Sequence, residues 1–388
     1  METVKLGDVV DLKWGDTNTT KKSYVESGYV AYSASGPDGY LPHADYDETG
    51  IVLSAIGSHC GGTWLAEGKW SCIKNTIRIL GNNKKADIRY VYWATKTPNF
   101  WPRRGSGQPF ISQGDARNCE IMLPARDVQV AIVETLQSFD DKIDLNRRMN
   151  ATLEAQARAL FRDWFVDFGP TRAKMAGATP YLPADLWALF PNALGEDGLP
   201  EGWREMPLDT VADFINGAAM QKHPASDGED FLPVIKIAEL RNGVTPKSNK
   251  ATTDIPSKYL VEDGDFLFSW SGSLLAKYWT GGPGALNQHL FKVTSETHPM
   301  WFASLWTQHH LAEFQRIAAS KATTMGHIKR IHLSQAMTVC PPDQSLKALG
   351  RHIAPMIKKQ IDNELESKSL AEARDYLLPL LMSGEMKA

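Results

Sequence analysis

Cysteine is scarce in this chain. The four residues (Cys60, Cys72, Cys119, Cys340) form no C-x-x-C pair and show no regular ligand spacing. A disulfide scaffold or a zinc module needs more thiols or a fixed spacing, so these read as idle or buried thiols of a cytoplasmic protein, and no metal site is expected. No run approaches the roughly eighteen apolar residues of a membrane span. The opening METVKLGDVV lacks the apolar core of a signal peptide, so neither membrane insertion nor export is expected. Net charge is nearly absent too, since 42 Lys and Arg against 45 Asp and Glu leave −3. That argues against a stand-alone nucleic-acid binder held by bulk positive charge; DNA binding would need local basic patches and positive surface from other subunits. Catalytic signatures are missing as well. No glycine-rich nucleotide loop follows a strand, and Thr97-Pro98-Asn99-Phe100 only superficially resembles the Asn-Pro-Pro-aromatic motif of adenine methyltransferases. Glu366-Ser367-Lys368 has a nuclease-like carboxylate–lysine spacing but lies in a helical stretch with no paired aspartate, where a solvated face is the expected role. The ten histidines form no ligand pattern, and His309-His310 reads as a helix surface.

What the chain does have is a long heptad pattern. From Asp127 to Phe168, Ile132, Leu136, Phe139, Ile143, Asn146, Asn150, Leu153, Ala157, Leu160 and Trp164 alternate at steps of four and three. This spacing predicts one helix with a single apolar seam, the pattern of a coiled coil. Asp127 is positioned to cap its start, and Gly169-Pro170 to stop it. At 1.5 Å per residue the rod would be roughly 60 Å long. Asn146 and Asn150 on the seam favour a paired rod, because polar seam residues set register. A second such stretch runs from Asp343, with Leu346, Leu349, Ile353, Met356, Ile361, Leu365, Leu370, Leu377 and Leu381 at helical spacing. Pro355 should bend its first turns or delay its start.

Both helices follow a proline and carry an Ala-x-Ala-Arg step, at Ala155–Arg158 and Ala371–Arg374. The globular parts repeat as well. Lys5 to Val10 returns as Pro207 to Ala212, Gly50 to Gly57 as Asp265 to Gly272, Asn75 to Ile79 as His289 to Val293, and Ile121 to Pro124 as Thr338 to Pro341. A period of about two hundred residues indicates a duplicated domain and not a solenoid. The expected fold is therefore α+β: β-rich globules at 1–126 and 203–342, a long helix at 127–168 and another at 343–388, and a proline- and glycine-rich connector at 169–202. Trp187, Leu189, Phe190 and Trp203 should tack the connector onto a neighbour. Ile51 to Ile56 and Asn75 to Ile79 read as strands, and Ile88 to Thr95 as a short amphipathic helix. Pairing the rods antiparallel, with pseudo-two-fold symmetry, is the simplest way to bury both seams. The pairing residues would be Ile132, Leu136, Phe139, Ile143, Leu153, Leu160 and Trp164 against Ile353, Met356, Ile361, Leu365, Leu377 and Leu381.

The run Leu160-Phe161-Arg162-Asp163-Trp164-Phe165-Val166-Asp167-Phe168 is distinctive. So are Ala188-Leu189-Phe190-Pro191 followed by Leu199-Pro200-Glu201-Gly202-Trp203, and the late Leu378-Pro379-Leu380-Leu381-Met382-Ser383-Gly384. With the order of parts, they make the whole chain resemble the specificity subunit of type I restriction–modification systems. The resemblance implies two target-recognition domains, each reading one half of a split double-stranded DNA site. It implies two methyltransferase subunits carried by the helices, with restriction/translocase subunits joining for cleavage. S-adenosylmethionine, ATP and magnesium would then belong to partner subunits, with no cofactor in this chain. A helical rod suits a ruler between half-sites, since one turn of DNA is about 34 Å.

Candidate DNA contacts follow from side-chain chemistry. Arg103, Arg104, Ser106 and Gln108 share a basic, glycine-rich loop; arginine pairs bidentately with guanine, and glutamine with adenine. Lys321, Thr323, Thr324 and His327 occupy the aligned loop of the second repeat, because Ile328 matches Ile111. Weaker candidates are Lys21 and Lys22 for phosphate, Tyr32, Ser33 and Ser35 near a strand end, and Ser58 and His59 in a glycine turn. In the second repeat they are Ser269, Ser271, Ser273 and Lys277 after a strand, and Lys236 and Arg241 beside another. For each of these an ordinary solvated turn is the plain alternative. Two rival functions stay open at this stage: a self-sufficient restriction endonuclease on the same readers, and a duplicated scaffold that binds only protein.

Overall fold

The computed structural model describes residues 2–82, 85–226, 228–320 and 326–387. The chain divides into two compact units, Met1–Asp144 with Ser367–Ala388, and Leu145–Glu366. The first contains strands β1 (Glu2–Lys5), β2 (Val10–Trp14), β3 (Tyr29–Ser33), β4 (Gly36–Leu41), β5 (Tyr46–Asp47), β6 (Gly50–Ser54), β7 (Thr63–Ala66), β8 (Lys69–Cys72), β9 (Thr76–Gly81) and β10 (Glu120–Leu123). They form a β1-β10 pair and two four-stranded sheets, ordered β2-β9-β6-β7 and β4-β3-β8-β5. The second unit contains β11 (Arg204–Pro207), β12 (Asp213–Asn216), β13 (Phe231–Ile235), β14 (Lys250–Thr252), β15 (Leu260–Val261), β16 (Phe266–Ser269), β17 (Ala276–Tyr278), β18 (Gly284–Leu286), β19 (Leu290–Thr294) and β20 (Met337–Cys340). Its sheets are β11-β20, β12-β19-β16-β17 and β14-β13-β18-β15. Each strand takes the place of the strand ten earlier, so the duplication read from four short echoes extends through the whole topology.

The continuous apolar run of β6 is explained by burial on both faces. Ile51 and Leu53 point into a core with Leu12, Ile77, Ile79 and Tyr90. Val52 points the other way, against Tyr32, Trp70 and Cys72. Alternate residues of a strand face opposite sides, so a strand between two cores needs no polar face. In β16, Phe266 and Phe268 likewise join one core and Leu267 another. The short helix appears at Ile88–Thr95, with the Asp87 carboxylate accepting from the Arg89 N–H at 2.8 Å. The buried Gln129 side chain holds that cap in place. It accepts from the Asp87 N–H at 2.8 Å and donates to the carbonyls of Lys85 and Pro124, both at 2.9 Å.

The first long helix runs Arg126–Phe161 and continues as a π-helical turn, Arg162–Val166. Asp127 lies in its first turn and is not the cap. Gly169-Pro170 does not stop it: the break is at Phe168, in the left-handed region at φ 54°, and Gly169–Met175 begins a new helix with proline in its first turn. Proline is tolerated there because the N–H it lacks would be unpaired anyway. The second long helix runs Asp343–Ser383 without interruption at Pro355. Ile353 and Ile357, both in the core of the second unit, hold the helix through the missing backbone bond.

The two long helices run antiparallel within each unit. In the first, Arg374 pairs with Asp140, and Ile132, Val133 and Leu136 share a core with Leu378, Leu381 and Met382. In the second, the Asn146 amide donates to the Glu366 carboxylate at 2.9 Å. Asn150 donates to the Gln360 carbonyl at 3.0 Å, and Asn363 to the Asn150 side-chain oxygen at 2.8 Å. Ala157, Phe161 and Trp164 meet a core with Leu349, Ile353 and Ile357. Phe139, Ile143, Leu153, Leu160, Met356, Ile361, Leu365 and Leu377 are half-buried. From the connector, Leu186 and Phe190, followed by Trp203, join the second unit's core, with Leu189 packed against it. No helix of the described residues is long and apolar enough to cross a membrane.

Candidate nucleic-acid interface

In the first unit the structure brings the Ser58–His59 turn against the Arg103 loop. Arg104 and Phe110 exchange backbone hydrogen bonds at 2.9 and 2.8 Å, which closes residues 104–110 into a tight hairpin. Gly105 opens it at φ 80°, and a Cβ there would lie 2.7 Å from the Gln108 carbonyl oxygen, so glycine is required. The hairpin is docked by the Gly57 N–H donating to the Pro109 carbonyl at 2.9 Å and the Ile111 N–H donating to Ala55 at 2.8 Å. The Arg103 side chain lies across Gly61, 2.7 Å from where a Cβ would sit. Burial raises the pKa of the neighbouring Cys60 thiol, against the lowering pull of the Arg103 charge.

The two arginines differ in role. Arg104 is ion-paired with Asp115, whose carboxylate also accepts from Ser112. Hydrogen bonding from Ser112, supported by the Arg104 charge, holds the Asp115 carboxyl below the usual range. Arg103 is exposed and has no ion-pair partner among the described residues. Ser106 and Gln108 stand exposed at the tip, and Ser58 and His59 are exposed and hydrogen-bonded to each other at 3.2 Å.

The remaining first-unit candidates divide by burial. Ser35 and Lys22 are exposed. Lys21 is exposed but paired with Asp38. Tyr32 and Ser33 are not surface contacts, since both are under one-tenth exposed. The Tyr32 hydroxyl donates to the Leu65 carbonyl at 3.3 Å, and Ser33 donates to Asp38 at 2.7 Å. They sit near the end of a strand whose neighbours cover it, which residue type alone does not reveal. The turn beside them still borders the same surface, because Gly36 lies under the Trp64 indole and Trp64 also abuts Gly62.

The second unit repeats the docking with different side chains. The Gly272 N–H donates to the Gly326 carbonyl at 2.8 Å and the Ile328 N–H to Trp270 at 3.0 Å, matching the Gly57 and Ile111 bonds. Lys321, Thr323 and Thr324 lie outside the described residues; His327 is half-buried beside Trp270, with ring centroids 6.3 Å apart. Ser269 and Ser271 are buried and not available. The Ser269 hydroxyl shapes the turn, donating to Ser273 at 3.0 Å and accepting from the Leu275 N–H at 2.7 Å, while Ser271 bonds His289 at 3.0 Å. Ser273 is exposed and Lys277 half-buried. Arg241 is exposed, and Lys236 donates to the Asn249 side chain. Residue-type reasoning passed over Trp270 and His289, whose rings lie 5.7 Å apart, with the Trp270 N–H donating to Asn216 at 3.0 Å. An aromatic at a strand end opposite a histidine was the available signal.

The family model for the type I restriction modification DNA specificity domain matches residues 1–155 and 200–372. The chain is similar to the HindI type I restriction enzyme specificity subunit of Haemophilus influenzae, 25% identical over 328 residues that cover 72% of this chain and 71% of that one. It is also similar to the MjaIX specificity subunit of Methanocaldococcus jannaschii, 24% identical over 318 residues, covering 78% and 69%. The crystal structure of a type I restriction–modification S subunit from M. genitalium shares the fold, with a TM-score of 0.63 over 98% of this chain and 96% of that one, at 16% identity.

Proposed function

Because the chain belongs to the type I restriction–modification DNA specificity family, we propose that it reads an asymmetric split DNA site, one half-site per globular domain. Specificity, not catalysis, is the role of the family. One observation supports the two-reader assignment: both units make the same pair of docking backbone hydrogen bonds, at Gly57 and Ile111 and at Gly272 and Ile328, and the sequences of the two stretches differ. Equal scaffolds with unequal side chains imply two different half-sites, hence a non-palindromic target. In the first domain Arg103 is the leading base reader, aided by Gln108, Ser58 and His59, while Arg104 is a loop clamp. In the second, His327 takes that place, and Lys321, Thr323 and Thr324 are candidates from the sequence alone.

Double-stranded DNA and two methyltransferase subunits are the proposed partners, with restriction/translocase subunits joining for cleavage. Those partners would supply S-adenosylmethionine, ATP and magnesium chemistry. The near-neutral charge supports this division, since partner subunits can hold phosphates while this chain reads base edges. The test is methylation mapping in cells that carry this chain with the methyltransferase subunit of its system. A split motif with methyladenine in each half is expected, and replacing residues 1–126 should change one half only. A continuous motif, or no methylation, would overturn the reading.

A further inference from the structure

Both repeats place an indole at the same corner of a sheet, beside the docked loop, but from different strands. In the first, β9 lies between β2 and β6, with Leu12 opposite Ile79 and Trp14 opposite Ile77. In the second, β19 lies between β12 and β16, with Phe214 opposite Val293 and Asn216 opposite Phe291. The bonds at the strand ends agree with that match: the Gly15 N–H donates to the Thr76 carbonyl as the Gly217 N–H does to Leu290. Asn216 therefore stands where the first repeat has Trp14. Trp270 stands where it has Ala55, because the Ala55 and Trp270 carbonyls accept the matched docking bonds from Ile111 and Ile328.

Trp270 crosses the sheet to reach that corner. Its N–H donates to the Asn216 side chain at 3.0 Å, and its ring centroid lies 6.0 Å from that of Phe291 on the strand between. Trp14 follows the buried Leu12 by two residues, so it emerges on the same face at the end of the row. A residue needed only to close the core would be buried, yet Trp14 is 38% exposed and Trp270 partly exposed. Trp270 is also held in place. It sits between the two docking bonds of the second unit, with its own carbonyl bonded to Ile328 and Gly272 bonded to Gly326. His289 and His327 flank its ring at 5.7 and 6.3 Å.

The chemistry of the fixed ring limits what it can recognise. The only hydrogen-bond donor of the indole is spent on Asn216, which leaves a surface of apolar carbon. Such a surface holds no phosphate and pairs with no polar base edge. The apolar feature that a base pair presents in the major groove is the 5-methyl group of thymine. We infer that Trp270 is a specificity-determining residue that contacts the methyl group of one thymine in the half-site read by the second domain. This rests on the DNA-reading function proposed above.

The test uses the full chain with its methyltransferase partner, on duplexes carrying the motif found by methylation mapping. Each thymine of the half that persists when residues 1–126 are replaced is exchanged singly for deoxyuridine, which removes the 5-methyl group and keeps the base pair. In the parent, one position should weaken binding about three- to fivefold, the effect of losing one buried methyl group. In Trp270→Ala the loss at that position should disappear, while thymines of the other half respond as in the parent. Trp270→Phe keeps an apolar ring and should retain part of the discrimination. The ratio of thymine to deoxyuridine affinity is taken within each protein, so a smaller folded fraction cancels. If no thymine of that half responds in the parent, the inference is overturned. It is overturned as well if the ratio survives in Trp270→Ala; a lower melting temperature with an unmoved ratio would leave the indole a packing residue. A parent complex that prefers no split site would sink the DNA-reading function and this contact with it, whereas a split site with an unmoved ratio sinks the contact alone.

Discussion

Arg103 and Arg104 are adjacent and chemically identical, yet their surroundings separate them. Arg104 spends its guanidinium on Asp115, whereas Arg103 lies over a glycine with its donors open. Arg103→Ala should therefore cost about 1–3 kcal/mol on the cognate site and relax preference at one base pair of one half-site, measured by competition binding. Arg104→Ala should weaken binding while leaving base preference in place. The Asp38 cluster makes a pH prediction. Burial raises the Asp38 carboxyl, but hydrogen bonds from Lys21, Ser33 and Tyr24 outweigh it and leave the group below 3.8. A carboxyl depressed on folding contributes its full stability above its unfolded value, and that contribution fades as pH falls through the lower folded value. Urea midpoints of the first unit should drop below roughly pH 4 in the parent, and Asp38→Asn should flatten that part of the curve. Sequence reading found the Arg103 loop because arginine and glycine cluster there. It mistook Tyr32, Ser33, Ser269 and Ser271 for surface groups, because the burial of a short polar side chain depends on strands far away in the chain.

The long helices show which element-level features a pattern reveals. The heptad seam marked Asn146 and Asn150 as polar interruptions, and both are hydrogen-bonded to the facing helix. Their partner Asn363, fully buried, was passed over because the apolar count slips there between Ile361 and Leu365. Asn150→Leu alone should destabilise the second unit by about 1–3 kcal/mol, since it takes the acceptor from a buried Asn363 amide. Adding Asn363→Leu should recover much of that loss in a double-mutant cycle while weakening the register. Pro355 makes a second case. It sits exposed inside an unbroken helix, so Pro355→Ala should restore a backbone bond and raise stability by up to about 3 kcal/mol, read from the urea midpoint.

At the scale of the whole molecule, the first unit is assembled from both ends of the sequence. Leu378, Leu381 and Met382 share its core with Leu6, Ile51 and Ile132. Leu381→Ala should therefore lower the first unit's unfolding transition by about 2–5 kcal/mol and leave the second unit's transition where it was, as separate calorimetric or hydrogen-exchange transitions would report. The linear order of globule, helix, connector, globule and helix is legible in the residues, but the compact units divide both long helices instead of ending at them. By itself the sequence determined the duplication, the two paired helices and an exposed glycine-rich loop at Arg103, because heptad spacing, strand alternation and glycine turns are local signals. Only the tertiary structure decided that one domain's core is completed by the last helix, that one arginine of a pair is clamped and the other open, and that Lys21 is spent on the Asp38 carboxylate. Those outcomes depend on groups far apart in the chain being brought within hydrogen-bond distance, which no local pattern encodes.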